Sequence, residues 1–279
     1  MQALRYPPPP GRTHEQLWRH YLVEKDLAQR LKQVDRNGRR AIYGTMYDEL
    51  FARVPDHPRL TRREGEQLTR EANRDKLALV DNLVGPETVV LEFAPGDCRF
   101  AEALAAKARR VYGVDISDQR GDKADWPSNF ELIVYDGYEL PALPDESVDL
   151  VFSDQFVEHL HPDDAEAHFA LAVAKLKPGG RYLIHTPHAA TGPWDVSRYF
   201  CDEPEGFHLK EWTYRELRAC LLRIGFTSVR GARRSRYGPL WLPWSYFARL
   251  ESLWARLPRD QRLGLARLLT PTLLCAATK

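Results

Sequence analysis

Two carboxylates frame the first place in this 279-residue chain where chemistry can gather. Glu92 lies in the apolar run Val89–Phe93, and Asp115 lies in a second apolar run, Val111–Ile116. Between them come a tight Ala94-Pro95-Gly96-Asp97 turn and a helical pattern over Phe100–Arg110. Strand, turn, helix, strand and acid make one βαβ unit of a parallel sheet that binds a nucleoside. Asp115 follows Glu92 by 23 residues, near the roughly 20-residue interval at which a carboxylate reaches a ribose hydroxyl. A pyrophosphate needs several glycines so that backbone can press against it, and this turn offers only Gly96. The unit therefore suits an adenosine-containing cofactor better than a dinucleotide. A βαβ crossover that merely packs is the plain alternative.

The turn Glu92-Phe93-Ala94-Pro95-Gly96-Asp97-Cys98 resembles motif I, D/E-x-G-x-G-x-G, of the class I S-adenosylmethionine-dependent methyltransferases. Ala94 and Cys98 replace the first and third glycines. Four later segments resemble the same superfamily in order. They are Phe130–Gly137, a strand ending in Asp-Gly; Leu143–Ser153, like "LPDxSFDLV"; Gln155–Leu160, like "xxLEHL"; and Lys175–Ile184, like "LKPGGxLxI". The resemblance covers about residues 75–187 and implies S-adenosyl-L-methionine as cofactor. It implies contacts from Glu92, Phe93, Ala94, Gly96, Asp115, Ile116, Asp136, Gly137, Asp154 and Gln155. Glu92 would meet the amino group of the methionine part, Asp115 the ribose and Asp136 the adenine amino group.

Methyl transfer to a hydroxyl calls for a general base, and histidine is the natural one near neutral pH. His188, directly after strand five, His159, about one turn into the helix after strand four, and His208, in a loop, are the candidates. His185 falls inside strand five and reads as a core histidine. The long loop His188–Lys210 leaves the carboxyl end of a strand and is rich in proline, glycine and aromatics, so it should wall the substrate. Tyr47, Trp194, Asp195, Arg198 and Trp212 are the expected substrate residues, with Asp195 and Arg198 a candidate ion pair. Tyr43 and Tyr47, four apart, share a helix face and would either close over the site or pack on the core. His159-Leu160-His161-Pro162-Asp163-Asp164 carries metal-capable side chains, but no second ligand cluster stands at a telling spacing, and no metal is expected.

The elements that must position these groups follow from periodicity. Residues 1–12 form a proline-rich tail, extended and poorly ordered. His14–Gln33 is helical, Asn37-Gly38 breaks it, and Arg40–Val54 and Glu64–Val84 are further helices. Thr213-Tyr214-Arg215-Glu216 is a capping box that opens a helix closed by Gly225. Phe226–Arg233 is strand six and Leu273–Thr278 the final strand. The expected fold is α/β: a Rossmann-like seven-stranded mixed sheet with helices on both faces, an N-terminal helical cap and a helical insertion before the last strand. The expected divisions are a tail and cap (1–63), a core (64–236) containing the substrate loop 188–210, the insertion (237–270) and the last strand of the core (271–279).

Composition narrows the class of partner. Hydrophobic residues are 43% and charged residues 28%, an ordinary globular balance. A net charge of +1 carries no global bias toward nucleic acid. Four scattered cysteines suggest a reducing cytoplasm, and no apolar run of membrane-spanning length or leader-like start is present. The insertion's arginines and aromatics suggest packing on the domain or on a second copy, which makes 237–270 a candidate homodimer surface. The stretch from Asp195 to Phe226, with "IYGTMYDELF" and "LESLWARLP", has a weaker resemblance to bacterial methyltransferases of glycan and surface-polysaccharide assembly. The function expected is O-methylation of a hydroxyl on a sugar, glycan or related polar metabolite. N- or C-methylation of a small natural-product-like molecule, or cofactor binding without catalysis, are the alternatives.

Overall fold

In β1, Val89–Phe93, alternation builds two cores at once. Val89, Leu91 and Phe93 join one hydrophobic cluster, and Val90 joins another across the sheet. Successive strand side chains point to opposite faces, so a strand buried on both sides needs apolar residues at nearly every position. The computed structural model describes residues 1–61, 66–121, 125–235 and 237–279. The expected boundaries at 63/64 and 236, and the start of the helix expected from Glu64, fall at residues outside this set.

β1 lies between β2, Arg110–Asp115, and β4, Val148–Asp154; β3, Phe130–Val134, flanks β2, and β5, Leu176–Pro187, flanks β4. All these pairings are parallel. β8, Thr272–Thr278, runs antiparallel to both β5 and β6, Ser228–Ser235. Among the described residues the sheet has eight strands in the order β3-β2-β1-β4-β5-β8-β6-β7, one more than the seven expected. The extra strand, β7, is Gly238–Leu242, in the segment expected to be helical. A short apolar run bounded by glycine and proline folds as a strand here, and it pairs antiparallel with β6 at the sheet's edge. Pro239 is tolerated because an edge strand leaves one row of backbone groups unpaired. Helices α9, Trp244–Trp254, and α10, Arg259–Leu269, follow before β8.

Helices cover both faces. α7, Pro162–Lys175, and α8, Tyr214–Ile224, supply Phe169, Ala172, Leu217 and Leu221 to one core. α5, Glu66–Val80, and α6, Arg99–Ala105, supply Leu79, Val80, Phe100 and Leu104 to the other. Four helices precede them: α1, His14–Gln33; α2, Arg36–Tyr43; α3, Met46–Arg53; and α4, Pro58–Thr61. α1 begins on a capping box, Thr13 with Gln16. The expected break at Asn37-Gly38 is displaced: Asp35 caps α2 by accepting from the Gly38 N–H, which places both residues inside its first turn. The single helix expected over Arg40–Val54 is divided at Gly44-Thr45. The proline-rich start is docked, with Arg5 N–H on the Tyr199 carbonyl and Gln2 on that of Phe200. Among the described residues, no helix is long and apolar enough to cross a membrane.

A methyl group at Gly231 of β6 would lie 2.5 Å from Cε2 of Phe247 on α9. Gly231→Ala should lower stability by about 1–3 kcal/mol through overpacking. Urea unfolding monitored by circular dichroism measures it, and an unchanged midpoint would mean that the ring has room to turn aside.

Candidate functional site

The turn after β1 takes its shape from left-handed backbone. Ala94, Gly96 and Cys98 have φ of 53°, 57° and 59°, the three positions where motif I has glycine. A residue with a Cβ adopts this conformation at a cost of about 1–2 kcal/mol, so the two substitutions retain the turn but strain it. The carboxylate of Asp115 ties the turn to β2: Oδ2 accepts from Gly96 N–H at 3.2 Å and Oδ1 from Ile116 N–H at 2.8 Å. Burial raises the Asp115 pKa, and these two backbone donors oppose the rise.

A cleft opens at this edge, lined by residues from three parts of the chain. The strand ends contribute Ala94, Gly96, Val114, Asp115, Ile116, Tyr135 and Gly137. The N-terminal helices contribute Tyr43, Met46, Tyr47 and Arg59, and the turn after β4 contributes Phe156, His159 and Leu160. The Arg59 guanidinium lies 5.1 Å from the Tyr47 ring centre. Gly137 has φ 89°, and a Cβ there would touch the Tyr43 ring at 3.6 Å.

Of the ten expected cofactor residues, Ala94, Gly96, Asp115, Ile116 and Gly137 line this cleft and five stand off it. Glu92 is buried on the α5 side of the sheet, where burial pushes its pKa up to about 8 and Oε2 has no hydrogen-bond partner. Phe93 packs in the core, stacked on Phe156. Asp136 accepts from Tyr138 and Glu139 N–H and pairs with Arg40 at 2.9 Å. Asp154 is held by Lys76 at 2.9 Å and His185 at 2.6 Å; burial disfavours its charge, but these partners keep its pKa below the ordinary range. Gln155 is exposed, with φ 55°.

The histidines separate clearly. His188 is fully buried; Nε2 lies 3.1 Å from Glu251 on α9, Nδ1 accepts from Ala190 N–H, and the ring packs on Tyr214 and Trp254. It does not line the cleft, because α9 closes over the end of β5. His159 does line the cleft, from a short 3₁₀ turn (Val157–His159) that precedes α7, not from within the expected helix. His208 stands behind it, the two rings edge to face at 5.0 Å. Burial, then the nearby His208 charge, pushes His159 down to about 3. Burial also works against charge on His208, but a hydrogen bond to Glu211 at 2.8 Å and the charges of Glu158 and Asp195 raise it to about 9.

The expected substrate loop is internally tied. Asp195 accepts from Ser197, Gly206 and His208 N–H, and does not reach Arg198. The Arg198 guanidinium lies over the rings of Tyr6, Trp194 and Tyr199. Trp194 donates to Thr191 and Glu211, and Trp212 is buried with Nε1 on the Val157 carbonyl. Of the expected substrate residues, only Tyr47 lines the cleft. Met46, Arg59, Gln119 and Tyr135 line it without having been singled out. Arg59 lies on a one-turn helix, Pro58–Thr61, in the stretch between the helices expected over Arg40–Val54 and Glu64–Val84.

Residues 91–184 match the family model of a methyltransferase domain. Over 140 residues, 49% of this chain and 51% of the relative, the sequence is 34% identical to a probable S-adenosylmethionine-dependent methyltransferase of Mycolicibacterium smegmatis. A Mycobacterium tuberculosis protein of the same description is 33% identical over 144 residues, 50% of this chain and 49% of the relative. The chain spans about half the length of the curated relatives it matches. An S-adenosylmethionine-dependent methyltransferase from Archaeoglobus fulgidus shares the fold, with TM-score 0.53 and 20% identity over 75% of this chain and 94% of that one. One from Thermotoga maritima, described as a possible histamine N-methyltransferase, has TM-score 0.51 and 16% identity over 86% and 99%. Residues 91–184 are thus similar to the methyltransferase domain of the S-adenosylmethionine-dependent class. The cofactor of that class is S-adenosyl-L-methionine.

Two outcomes follow from the geometry. Ala94→Gly relieves a left-handed φ and should stabilise the chain by up to about 1 kcal/mol, read as a shift in urea midpoint. His208, raised from 6.5 to about 9, binds a proton in the folded chain that the unfolded chain has released. Its stabilisation is complete below pH 6.5 and is lost as pH rises through 9. Denaturation at pH 6, 7.5 and 9 should show that decline, and His208→Gln should flatten it.

Proposed function

We propose that the chain is an S-adenosylmethionine-dependent methyltransferase that methylates a hydroxyl of a sugar, glycan or related polar metabolite. The observation that carries the reading is one cleft bounded by the Asp115-tethered turn and by His159, an imidazole held neutral. Asp115 would accept from the ribose hydroxyls, with Ile116, Tyr135 and Gly137 around the adenine and Ala94 and Gly96 beside the methionine part. Glu92, behind the turn, would supply negative charge for the amino group from the second layer. When bound, the cofactor supplies an electrophilic methyl group. Everything else is alignment, exclusion of water and removal of one proton.

His159 is suited to that last task by its tautomer. Nδ1 lies 3.0 Å from the Phe207 carbonyl; a carbonyl only accepts, so Nδ1 carries the hydrogen and Nε2 keeps its lone pair. A hydroxyl oxygen becomes strongly acidic as it gains a methyl group, so a weakly basic imidazole is enough to take its proton. Tyr43, Met46, Tyr47 and Phe156 give the apolar surfaces on which the faces of a sugar ring can rest, and Arg59 at the mouth would meet a hydroxyl or an acidic substituent. His188, Trp194, Asp195, Arg198 and Trp212 act in this reading as the frame of the site.

Calorimetric titration with S-adenosylmethionine tests the first half. Asp115→Ala should weaken binding about tenfold or more, the loss expected for a buried hydrogen bond to a charged group; unchanged affinity would overturn the cofactor assignment. His159→Gln should lower turnover about 100-fold or more, as for a general base, with cofactor affinity kept. Turnover on amine or carbon nucleophiles but on no hydroxyl would replace the O-methyl reading, and tight binding without turnover on any acceptor would replace catalysis.

A further inference from the structure

Behind the acceptor end of the cleft, one carboxylate oxygen of Glu158 and one ring nitrogen each of His159 and His208 lie within 4.8 Å of one another. Each of the three side chains is held from outside. Glu158 Oε2 accepts from Thr186 Oγ1 at 2.8 Å, His159 Nδ1 meets the Phe207 carbonyl at 3.0 Å, and His208 Nδ1 meets Glu211 at 2.8 Å. Glu158 is fully buried, and its other oxygen, Oε1, has no hydrogen-bond partner. An orphaned buried carboxylate oxygen beside two imidazoles costs stability, and it leaves a donor atom free to bind.

We propose that Glu158, His159 and His208 form a site for one divalent transition-metal cation of zinc-like donor preference. Two imidazoles and one carboxylate suit zinc or its first-row neighbours; magnesium and calcium prefer all-oxygen sets. The outer contacts form the second layer that metal-binding histidines and carboxylates carry: a carbonyl on one imidazole, a carboxylate on the other, a hydroxyl on the acid. Three protein ligands leave a coordination position free, and His159 places the site against the cleft. A second trio, His20, Glu24 and His57, also gathers, but there Arg12 lies 2.9 Å from His20 Nδ1 and Glu24 Oε1 is 2.7 Å from His20. Both ring nitrogens of His20 are thus already committed, and that trio takes no cation.

A cation at Glu158, His159 and His208 would hold the acceptor's hydroxyl oxygen and make its proton more acidic. His159 would then act as a ligand instead of as the direct base, and the hydroxyl proton would leave to solvent water at the cleft. This consequence rests on the O-methyl reading, whereas the site itself does not. Glu158 and His208 are 50 residues apart in sequence, which is why no ligand spacing announces the site.

The test is titration of the full chain, stripped with EDTA, with Co²⁺ followed by visible absorption. Uptake of one equivalent with a four- or five-coordinate spectrum, displaced by Zn²⁺, is expected. Glu158→Gln and His208→Gln should each weaken Co²⁺ binding at least tenfold, while His14→Gln, at the start of α1, should bind as wild type. Absence of stoichiometric uptake by the folded wild-type chain, or uptake unaltered in both variants, overturns the site. Should either variant fail to fold, paramagnetic shifts of the His159 and His208 ring protons in the Co²⁺-loaded wild type decide the matter, and their absence overturns it. S-adenosylmethionine titration of the stripped chain reads the cofactor half separately, so failure of one result is distinguishable from failure of the other.

Discussion

Two buried carboxylates from distant parts of the chain converge on three consecutive backbone N–H groups. Glu24 of α1 accepts from Phe207 N–H at 3.2 Å, and Asp195 accepts from Gly206 at 3.0 Å and from His208 at 3.3 Å. Gly206 must be glycine for this, since a Cβ would lie 2.5 Å from the Glu24 carboxylate and 2.8 Å from that of Asp195. Carboxylates out of water are costly unless hydrogen-bonded. Glu24 meets the cost with His20 and His57, which hold its pKa below the ordinary range against the effect of burial, while Asp195 is raised to about 6 by burial. The strap sets the Phe207 carbonyl against His159 and places His208 behind it. The acceptor side of the cleft thus depends on a helix 183 residues away from the loop it holds.

The proposed cofactor side is built differently. Asp115 and Gly96 are only 19 residues apart and meet across one βαβ unit. Three left-handed residues turn the backbone there, and a short strand pairing, Phe93 beside Val114, fixes the register. One side of the cleft is a local device of the sheet; the other is assembled from α2, α3, α4, the turn after β4 and a loop beyond β5. Tyr43 links them. Its ring faces Gly137 at the end of the sheet, and its hydroxyl donates to Asp164, which also holds Arg39.

This difference decides what could be read in the sequence. Ala94, Gly96, Asp115, Ile116 and Gly137 were legible because short-range spacing controls their placement. Asp136 stands off the cleft because an acid before glycine at a strand end can equally cap the next turn, and here it accepts from Tyr138 and Glu139. His188 has the right address, the carboxyl end of a central strand, but the sequence does not reveal that α9 brings Glu251 onto it. His159 was expected about one turn into a helix, whereas the 3₁₀ turn presents it to the cleft. β7 was missed because five residues carry too little periodicity to tell a strand from a helix start.

Unpaired polarity marks where this fold bears strain. Glu92 and Glu158 each leave one buried carboxylate oxygen without a partner, on opposite sides of the cleft's two halves. Burial pushes both acids up, to about 8 and about 7, so near neutral pH each is easily switched between charged and uncharged forms. An orphaned buried acceptor costs about 1–3 kcal/mol, and an amide or apolar residue would serve packing alone at less cost. Such sites persist where something outside the chain completes them. The proposed amino group at one side and the proposed cation at the other would each bring a partner to a carboxylate oxygen that the fold has left without one. Their binding would then stabilise the chain by the energy that its own side chains do not recover.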